Sequence, residues 1–175
     1  RAPTRLTTQL FEALGATSIG MPVPAVPEAL SKGVIDATVI PWEVTTALKV
    51  AELVDNHTVF GEAALYTTTF LFAMNKASYE GLPDDLKAVV DENSGLEFSG
   101  FAGRTMQEYD APARALAEER GNNVIELSEE QIEVWREAAA ATVDDWLAEA
   151  EGKGLDGEAL LERARELIAE GAPAR

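Results

Sequence analysis

Hydrophobic positions in residues 1–75 change repeatedly between a helical and an extended spacing. Leu6, Leu10, Phe11 and Leu14 recur on one helical face, which predicts a helix over residues 3–14. Runs of β-branched and aromatic residues without that spacing predict strands. The predicted strands are residues 17–21, 34–40 and 65–75, residues 57–60 are predicted to form a short extended piece, and the other predicted helices are residues 24–32 and 42–53. Alternation of helices and strands is typical of parallel βαβ units.

Residues 76–175 carry mostly helical patterns. Pro83 is followed by two acidic residues and opens a helix predicted to run to about residue 119, with a kink or break at Pro112. A short strand is predicted over residues 124–127. Ser128 and Gln131 form a capping box that starts a helix to about residue 149, and a last amphipathic helix follows over residues 157–169. The pattern predicts an α/β region over residues 1–75 and a helical region over residues 76–175.

The charge pattern distinguishes these two regions. The formal net charge is −17, from 14 basic and 31 acidic side chains. Residues 1–75 hold 4 basic and 7 acidic side chains, whereas residues 76–175 hold 10 and 24. Nucleic acid and anionic membranes repel so acidic a chain, and no apolar run approaches the ~20 residues of a membrane helix. We therefore expect no nucleic-acid partner and no membrane insertion, and we expect ligand binding in the first region.

Candidate catalytic and metal-binding residues are scarce. The sequence has no cysteine, which excludes disulfides, thiol catalysis and Cys-ligated metals. His57 is the only histidine, and no nucleophile is placed beside it, so we interpret it as a helix-end or core residue. Gly-rich phosphate-binding motifs are absent. We predict no catalytic residue, no metal and no cofactor.

Five short stretches of the first 87 residues carry a family resemblance by their order and spacing. They are Arg1-Ala2-Pro3, ALGA at 13–16 with MP at 21–22, EALSKGVID at 28–36, His57, and FAMNK at 72–76 with LPDDLK at 82–87. Together they resemble the second half of the solute-binding proteins of TRAP transporters (tripartite ATP-independent periplasmic transporters). The helical remainder also fits that family, so the resemblance covers essentially the whole chain.

The resemblance implies a fold. It implies an α/β, periplasmic-binding-protein-like second lobe with a short, mostly parallel sheet, a long inter-lobe helix and C-terminal helices. In this interpretation residues 65–75 hold the strand that crosses between lobes. A complete member has two lobes around a cleft, so we expect that the first lobe is missing and that the sequence starts inside a longer protein.

The resemblance also implies a function without chemistry. Family members are periplasmic proteins that capture a small organic acid and deliver it to the membrane permease subunits of the transporter. Arg1 stands at the position of the family's carboxylate-binding arginine. That role suits a guanidinium, which stays charged and forms two parallel hydrogen bonds to a carboxylate.

The remaining candidate ligand contacts are mostly apolar. Val39 and Ile40 match cleft-lining positions of the family; neither side chain can coordinate a cation, so we expect no metal there. We expect an apolar wall that Trp42 extends, which favours a ligand with an apolar or aromatic body. Other candidates, for each of which ordinary packing is the alternative, are Thr4, Val23 and Phe70, with Tyr66, Thr67 and Thr69 beside Phe70 on the predicted strand.

Two rival functions stay open at this point. Residues 83–170 could form a helical protein-interaction module, which would show an exposed apolar patch of several hundred Å². A small α/β hydrolase is the other rival, and the missing nucleophile motif and the single histidine argue against it.

Overall fold

The computed structural model describes residues 1–61 and 64–171 in two compact units. The first unit comprises Arg1 and Met21–Leu127, and the second comprises Ala2–Gly20 and the chain from Ser128 onward. The elements are α1 (Arg5–Ala13), α2 (Val26–Ser31), α3 (Trp42–Ala47), β1 (Asn56–Val59), α4 (Lys76–Glu80), α5 (Asp84–Glu92), α6 (Leu96–Glu108), α7 (Asp110–Glu119), β2 (Asn123–Glu126), α8 (Glu129–Gly152) and α9 (Gly157–Gly171), with 3-10 turns at Val23–Ala25 and Val50–Glu52. The division into an α/β region over residues 1–75 and a helical region over residues 76–175 stays a prediction. Residues 172–175 of the second region lie outside the described part of the chain.

The first unit is built on one parallel strand pair. β1 and β2 pair from Asn56 opposite Asn123 to Val59 opposite Glu126, which confirms the extended piece predicted over residues 57–60 and the strand predicted over residues 124–127, each within one residue. α7 leads into β2 and packs against α3. The same unit contains a small hydrophobic core of Val26, Ala29 and Ile35, with Met21 and Leu30 packed against it. The described sheet is therefore short and parallel, as expected.

Three predicted strands are wrong. Residues 17–21 make a single bridge, from Gly20 to Ala2. Residues 34–40 and 65–75 form no strand, and Leu71 and Phe72 are 88% and 93% exposed. High β-propensity means that a side chain suits a pleated, half-buried surface, which exists only where a neighbouring strand pairs. No described strand lies beside residues 65–75.

Two predicted helices are interrupted at identifiable residues. The helix predicted over 42–53 ends at Ala47, because Lys49 adopts a left-handed conformation with φ of 54° before the 3-10 turn. The helix predicted over 83–119 divides into α5, α6 and α7, with breaks at Gly95 (φ 83°) and Tyr109. The second break comes just before Pro112, where a kink was expected. The short helix α4 was not predicted.

The second unit packs three helices. α8 contacts both α1 and α9, and Phe11 meets Trp135 edge-to-face at 5.6 Å between ring centroids. α1 and α8 both begin with capping boxes, at Thr4 and Ser128, in which side chains satisfy backbone N–H groups of the first turn. The capping box at Ser128 was predicted, and the structure confirms it.

Candidate ligand-binding site

Arg1 is held at both its backbone and its side chain. Its backbone nitrogen donates to the Ala37 carbonyl at 2.7 Å, and the Val39 backbone N–H donates to the Arg1 carbonyl at 3.0 Å. Its Nε donates to the Met21 carbonyl at 3.1 Å and its Nη1 to the Val39 carbonyl at 2.9 Å. These bonds fix the orientation of the half-buried guanidinium plane relative to residues 37–39.

The Arg1 guanidinium retains hydrogen-bonding capacity. It has five N–H donors, of which the two carbonyls use two. Among residues 1–61 and 64–171, no other acceptor bonds to this group, which leaves three donors for a further partner. Burial lowers the pKa of Arg1 from its ordinary value, and nearby Tyr66 opposes that shift. The group stays cationic at neutral pH and can bind an anion.

Tyr66 interacts electrostatically with Arg1. It is half-buried, and this burial raises the pKa of its phenol. A hydrogen bond with Thr68 and the charge of Arg1 lower that pKa in part, while Glu43 raises it. The phenol is therefore protonated at neutral pH and is available as a hydrogen-bond donor near the guanidinium.

The predicted apolar wall lies within the same unit as Arg1. Val39 and Ile40 are half-buried and precede Pro41, which leads into α3. Trp42, the first residue of α3, stacks on His57 with ring centroids 4.9 Å apart and planes inclined by 33°. His57 therefore has a packing role against Trp42.

Val23, Phe70 and Thr4 are the remaining predicted ligand contacts, and they differ in exposure and in the unit to which they belong. Val23 is half-buried in its 3-10 turn, and Phe70 is 63% exposed. Thr4 belongs to the second unit, where its hydroxyl accepts from the Thr7 backbone N–H and bonds the Thr7 hydroxyl at 3.0 Å. The structure thus shows a helix-capping role for Thr4.

A pair of acidic residues connects α3 with α7. The Glu43 backbone N–H donates to Asp110 Oδ1 at 3.1 Å, and both residues are half-buried. Glu43 also borders an open groove of about 440 Å³ between these helices, lined further by Thr46, Tyr109, Pro112, Ala113, Ala115, Leu116 and Glu119. Burial raises the pKa of the Glu43 carboxyl, its own backbone N–H opposes this, and Asp110 adds to the rise.

The described residues show neither a metal-binding cluster nor a membrane-spanning helix. Among them, no group of three His, Asp or Glu side chains is arranged to hold a metal ion. In that same part of the chain, no helix combines the length and the apolar character needed to cross a membrane.

Comparison with known proteins decides the family. The sequence profile of the family described as bacterial extracellular solute-binding protein, family 7, matches residues 1–150 of the 175. The chain belongs to this family of TRAP solute-binding proteins.

Solved TRAP solute-binding proteins share the fold of this chain. One from Rhodoferax ferrireducens, in complex with copurified benzoate, is 44% identical with a TM-score of 0.92 and covers 96% of this chain. A marine metagenome protein specific for aromatic acid ligands, in complex with metahydroxyphenylacetate, is 45% identical with a TM-score of 0.92 and covers 98%. One from Bordetella bronchiseptica, with bound (R)- and (S)-mandelate, is 26% identical with a TM-score of 0.82 and covers 97%.

This TRAP solute-binding chain spans about half the length of those relatives. The match covers 53% of the Rhodoferax chain and 54% of each of the other two. The likeness to half of a TRAP periplasmic-binding-protein fold confirms the family resemblance and the fold class inferred from the sequence.

In this TRAP family member, two polar groups near Arg1 were not predicted from the sequence. Thr38, between the two residues whose backbones bond Arg1, has a buried hydroxyl without a hydrogen-bond partner among the described residues. It was assigned to a strand interior, where a threonine is unremarkable. Tyr66 was noted on a predicted strand, but Phe70 was preferred there. Only the tertiary structure reveals that Tyr66 is electrostatically coupled to Arg1.

The raised pKa of Glu43 predicts a pH-dependent effect of Glu43→Gln. A carboxyl whose pKa is raised by folding favours the folded state fully below its unfolded pKa, and this contribution is lost as pH rises through the folded pKa. Glutamine stays neutral at all pH values and can still donate to Asp110. We expect E43Q to raise the melting temperature by about 1–3 °C at pH 7.5.

The control for E43Q is the same comparison at low pH. Below the ordinary Glu value of 4.5, the wild-type carboxyl is protonated too, so the difference in melting temperature should disappear. Thermal unfolding followed by circular dichroism from pH 3.5 to 8 measures both limits. A stabilisation by E43Q that is larger at pH 3.5 than at pH 7.5 would contradict this sign.

Proposed function

We propose that this chain forms half of the extracytoplasmic solute-binding protein of a TRAP transporter and captures a small organic acid. Arg1 binds the ligand carboxylate, and the body of the ligand is apolar or aromatic. The observation that carries the proposal is the Arg1 guanidinium. The Met21 and Val39 carbonyls hold it in place, and the other three of its N–H donors bond to no described residue. Three donors suffice for the two parallel hydrogen bonds of a carboxylate.

Electrostatics supports a single point of anion binding. The chain as a whole carries −17, so its overall field repels a carboxylate. Binding therefore requires a local cation whose interaction with the ligand exceeds that repulsion at short range. Arg1 is one of only four basic side chains among residues 1–75. Its partial burial strengthens its attraction for an anion relative to that of an exposed lysine.

The apolar surroundings support an aromatic acid. Val39, Ile40 and Trp42 supply no hydroxyl or carboxylate that could satisfy the hydroxyl groups of a sugar acid. The two relatives with 44% and 45% identity were solved with benzoate and with metahydroxyphenylacetate. We therefore propose a monocarboxylate on an aromatic ring as the ligand class.

The family membership supports the proposed location and partner. The Bordetella relative is a TRAP periplasmic solute-binding protein, so we propose a periplasmic location and delivery to the transporter's permease subunits. Relatives of this kind are binding proteins, and we propose no catalytic step for this chain. Because the chain spans about half of the relatives' length, a complete clamp requires further polypeptide.

One observation also favours a protein contact surface, which overlaps residues 83–170, the region of the rival function weighed above. Phe72, Phe98 and Phe101 form a chain of rings with centroids 6.5 and 6.2 Å apart, and Leu71 and Leu96 beside them in sequence are 88% and 92% exposed. Exposed apolar side chains in such number mark surfaces that another polypeptide covers. This surface is compatible with solute binding, since the relatives have about as much chain again.

Three ligands test the proposed function by calorimetric titration. Benzoate has the ring and the carboxylate, benzyl alcohol has the ring alone, and gluconate has a carboxylate on a polyhydroxylated chain. We expect benzoate to bind about 100-fold more tightly than benzyl alcohol, because a charge-assisted bidentate contact is lost. Gluconate should bind more weakly than benzoate. Equal binding of benzoate and benzyl alcohol, or tighter binding of gluconate, would refute the proposal.

A further inference from the structure

The first turn of α3 receives its capping acceptor from a distant helix. The residue before α3 is Pro41, and no side chain of its own flank caps the helix. The first N–H groups of a helix need acceptors from outside it. Asp110, 67 residues further along the chain, provides one by accepting from the Glu43 N–H.

Asp110 itself has a defined position. It is the first residue of α7, whose Ala113 and Ala117 are buried on the helix that packs against α3. The Asp110 carboxylate is thus a fixed acceptor, and the hydrogen bond ties the start of α3 to the start of α7.

The hydrogen bond between Glu43 and Asp110 affects the position of Trp42, the residue proposed to extend the apolar wall. Trp42 directly precedes Glu43, so a displacement of the Glu43 amide displaces the Trp42 backbone as well. The ring of Trp42 is stacked on His57 of β1. Two contacts from different elements therefore determine where the indole lies: the Asp110 hydrogen bond at the backbone and the His57 stack at the ring.

We propose that Asp110 is a positioning residue for Trp42 and, through it, for the aromatic body of the ligand. The part of this inference that concerns the ligand rests on the proposed function. Asp110 acts on the apolar wall and leaves the carboxylate contact of Arg1 unchanged. Its loss should weaken ligands that have a ring and should spare a ligand that has only a carboxylate.

Benzoate and acetate separate these two effects, with Asp110→Ala and Asp110→Asn as the variants. D110A removes the acceptor, and we expect about 3- to 30-fold weaker benzoate binding. This range is the fold-change in affinity equivalent to the free energy usually lost with a helix cap. D110N retains a side-chain oxygen that accepts from the Glu43 N–H, so its benzoate affinity should stay within about 3-fold of wild type. Acetate binding should change less than about 2-fold in both variants.

Asp85→Ala is the matched control. Asp85 also lies in the first turn of a helix, is exposed, and accepts no hydrogen bond from another described element. D85A removes the same charge from a helix start without removing a hydrogen bond between elements, so its benzoate affinity should equal that of wild type. If D110A does not fold, Asp110→Ser replaces it, because serine is tolerated at helix starts and its hydroxyl is too short to reach Glu43.

A readout without ligand separates this inference from the proposed function. In ¹H–¹⁵N spectra of the unliganded protein, D110A should shift the Glu43 amide and the Trp42 indole resonances, while D110N and D85A should leave both near their wild-type positions. If wild type binds neither acid but these shifts occur, the proposed function is wrong and the positioning of Trp42 stands. Unchanged Glu43 and Trp42 resonances in D110A, an equal loss of acetate binding, or a D110N variant as impaired as D110A would overturn the inference.

Discussion

Replacing Arg1 with methionine is expected to weaken benzoate binding by about 100-fold or more. Methionine is similar in length and apolar, so the substitution removes the cation and all its N–H donors while it keeps much of the packing volume. A ligand carboxylate would then be desolvated without a partner in a chain that carries −17. Isothermal titration calorimetry with benzoate on wild type and R1M measures the change directly.

Two further variants define what the arginine contributes. Arg1→Lys retains a positive charge but has no planar pair of donors, so it should recover only part of the affinity and remain about 10-fold weaker than wild type. Arg104→Met removes an exposed arginine from α6 and should change benzoate affinity by less than about 2-fold. If R1M binds benzoate as tightly as wild type does, the carboxylate is bound elsewhere and the proposed site is wrong.

Gly157→Val is expected to destabilise the second unit by about 1–3 kcal/mol. Gly157 is buried at the start of α9, where a Cβ atom would come within 3.0 Å of both the Ala150 Cβ and a Leu147 methyl group of α8. Valine adds two further methyl groups at this close approach, so α9 must move away from α8 or the side chains must leave their preferred rotamers. Urea denaturation followed by tryptophan fluorescence reports the loss, because Trp135 and Trp146 both lie on α8.

Gly152→Val is the control for this substitution. Gly152 ends α8, and a Cβ atom there would meet nothing within 4 Å. G152V should therefore change the free energy of unfolding by about 0.5 kcal/mol at most. Equal destabilisation by the two variants would show that the cost comes from the valine backbone preference and that the close approach of α9 to α8 is not the cause.

The start of α8 could be predicted from the sequence because its signal is local. Ser128 and Gln131 lie three residues apart, and the side chain of each accepts a hydrogen bond from the backbone N–H of the other, in the same turn that they predict. Strands behaved differently. The segments β1 and β2 were each predicted within one residue, but their pairing was not, and residues 65–75, with three consecutive threonines and two phenylalanines, form no strand. Local composition cannot supply a pairing partner, and the hydrogen bonds of a strand require one.

The candidate site shows the same limit. Arg1 was identified from a family resemblance, since an isolated arginine has no distinguishing pattern of its own. The carbonyls that orient it belong to residues 20 and 38 positions away along the chain, and the acceptor that caps α3 is 67 residues from Glu43. Such pairings depend on which segments the fold brings together, so the contacts that hold Arg1 and the start of α3 could not be predicted from the sequence.

The proposed site depends above all on a contact between the carboxylate of benzoate and Arg1. Arginine side-chain ¹H–¹⁵N spectra, assigned by comparison with R1M, follow the Arg1 Nε–H and Nη–H resonances as benzoate is added. If Arg1 binds the carboxylate, these resonances shift saturably with benzoate, rotation of the guanidinium slows, and benzyl alcohol produces neither effect. Saturable benzoate binding that leaves the Arg1 resonances unchanged would contradict the proposed site.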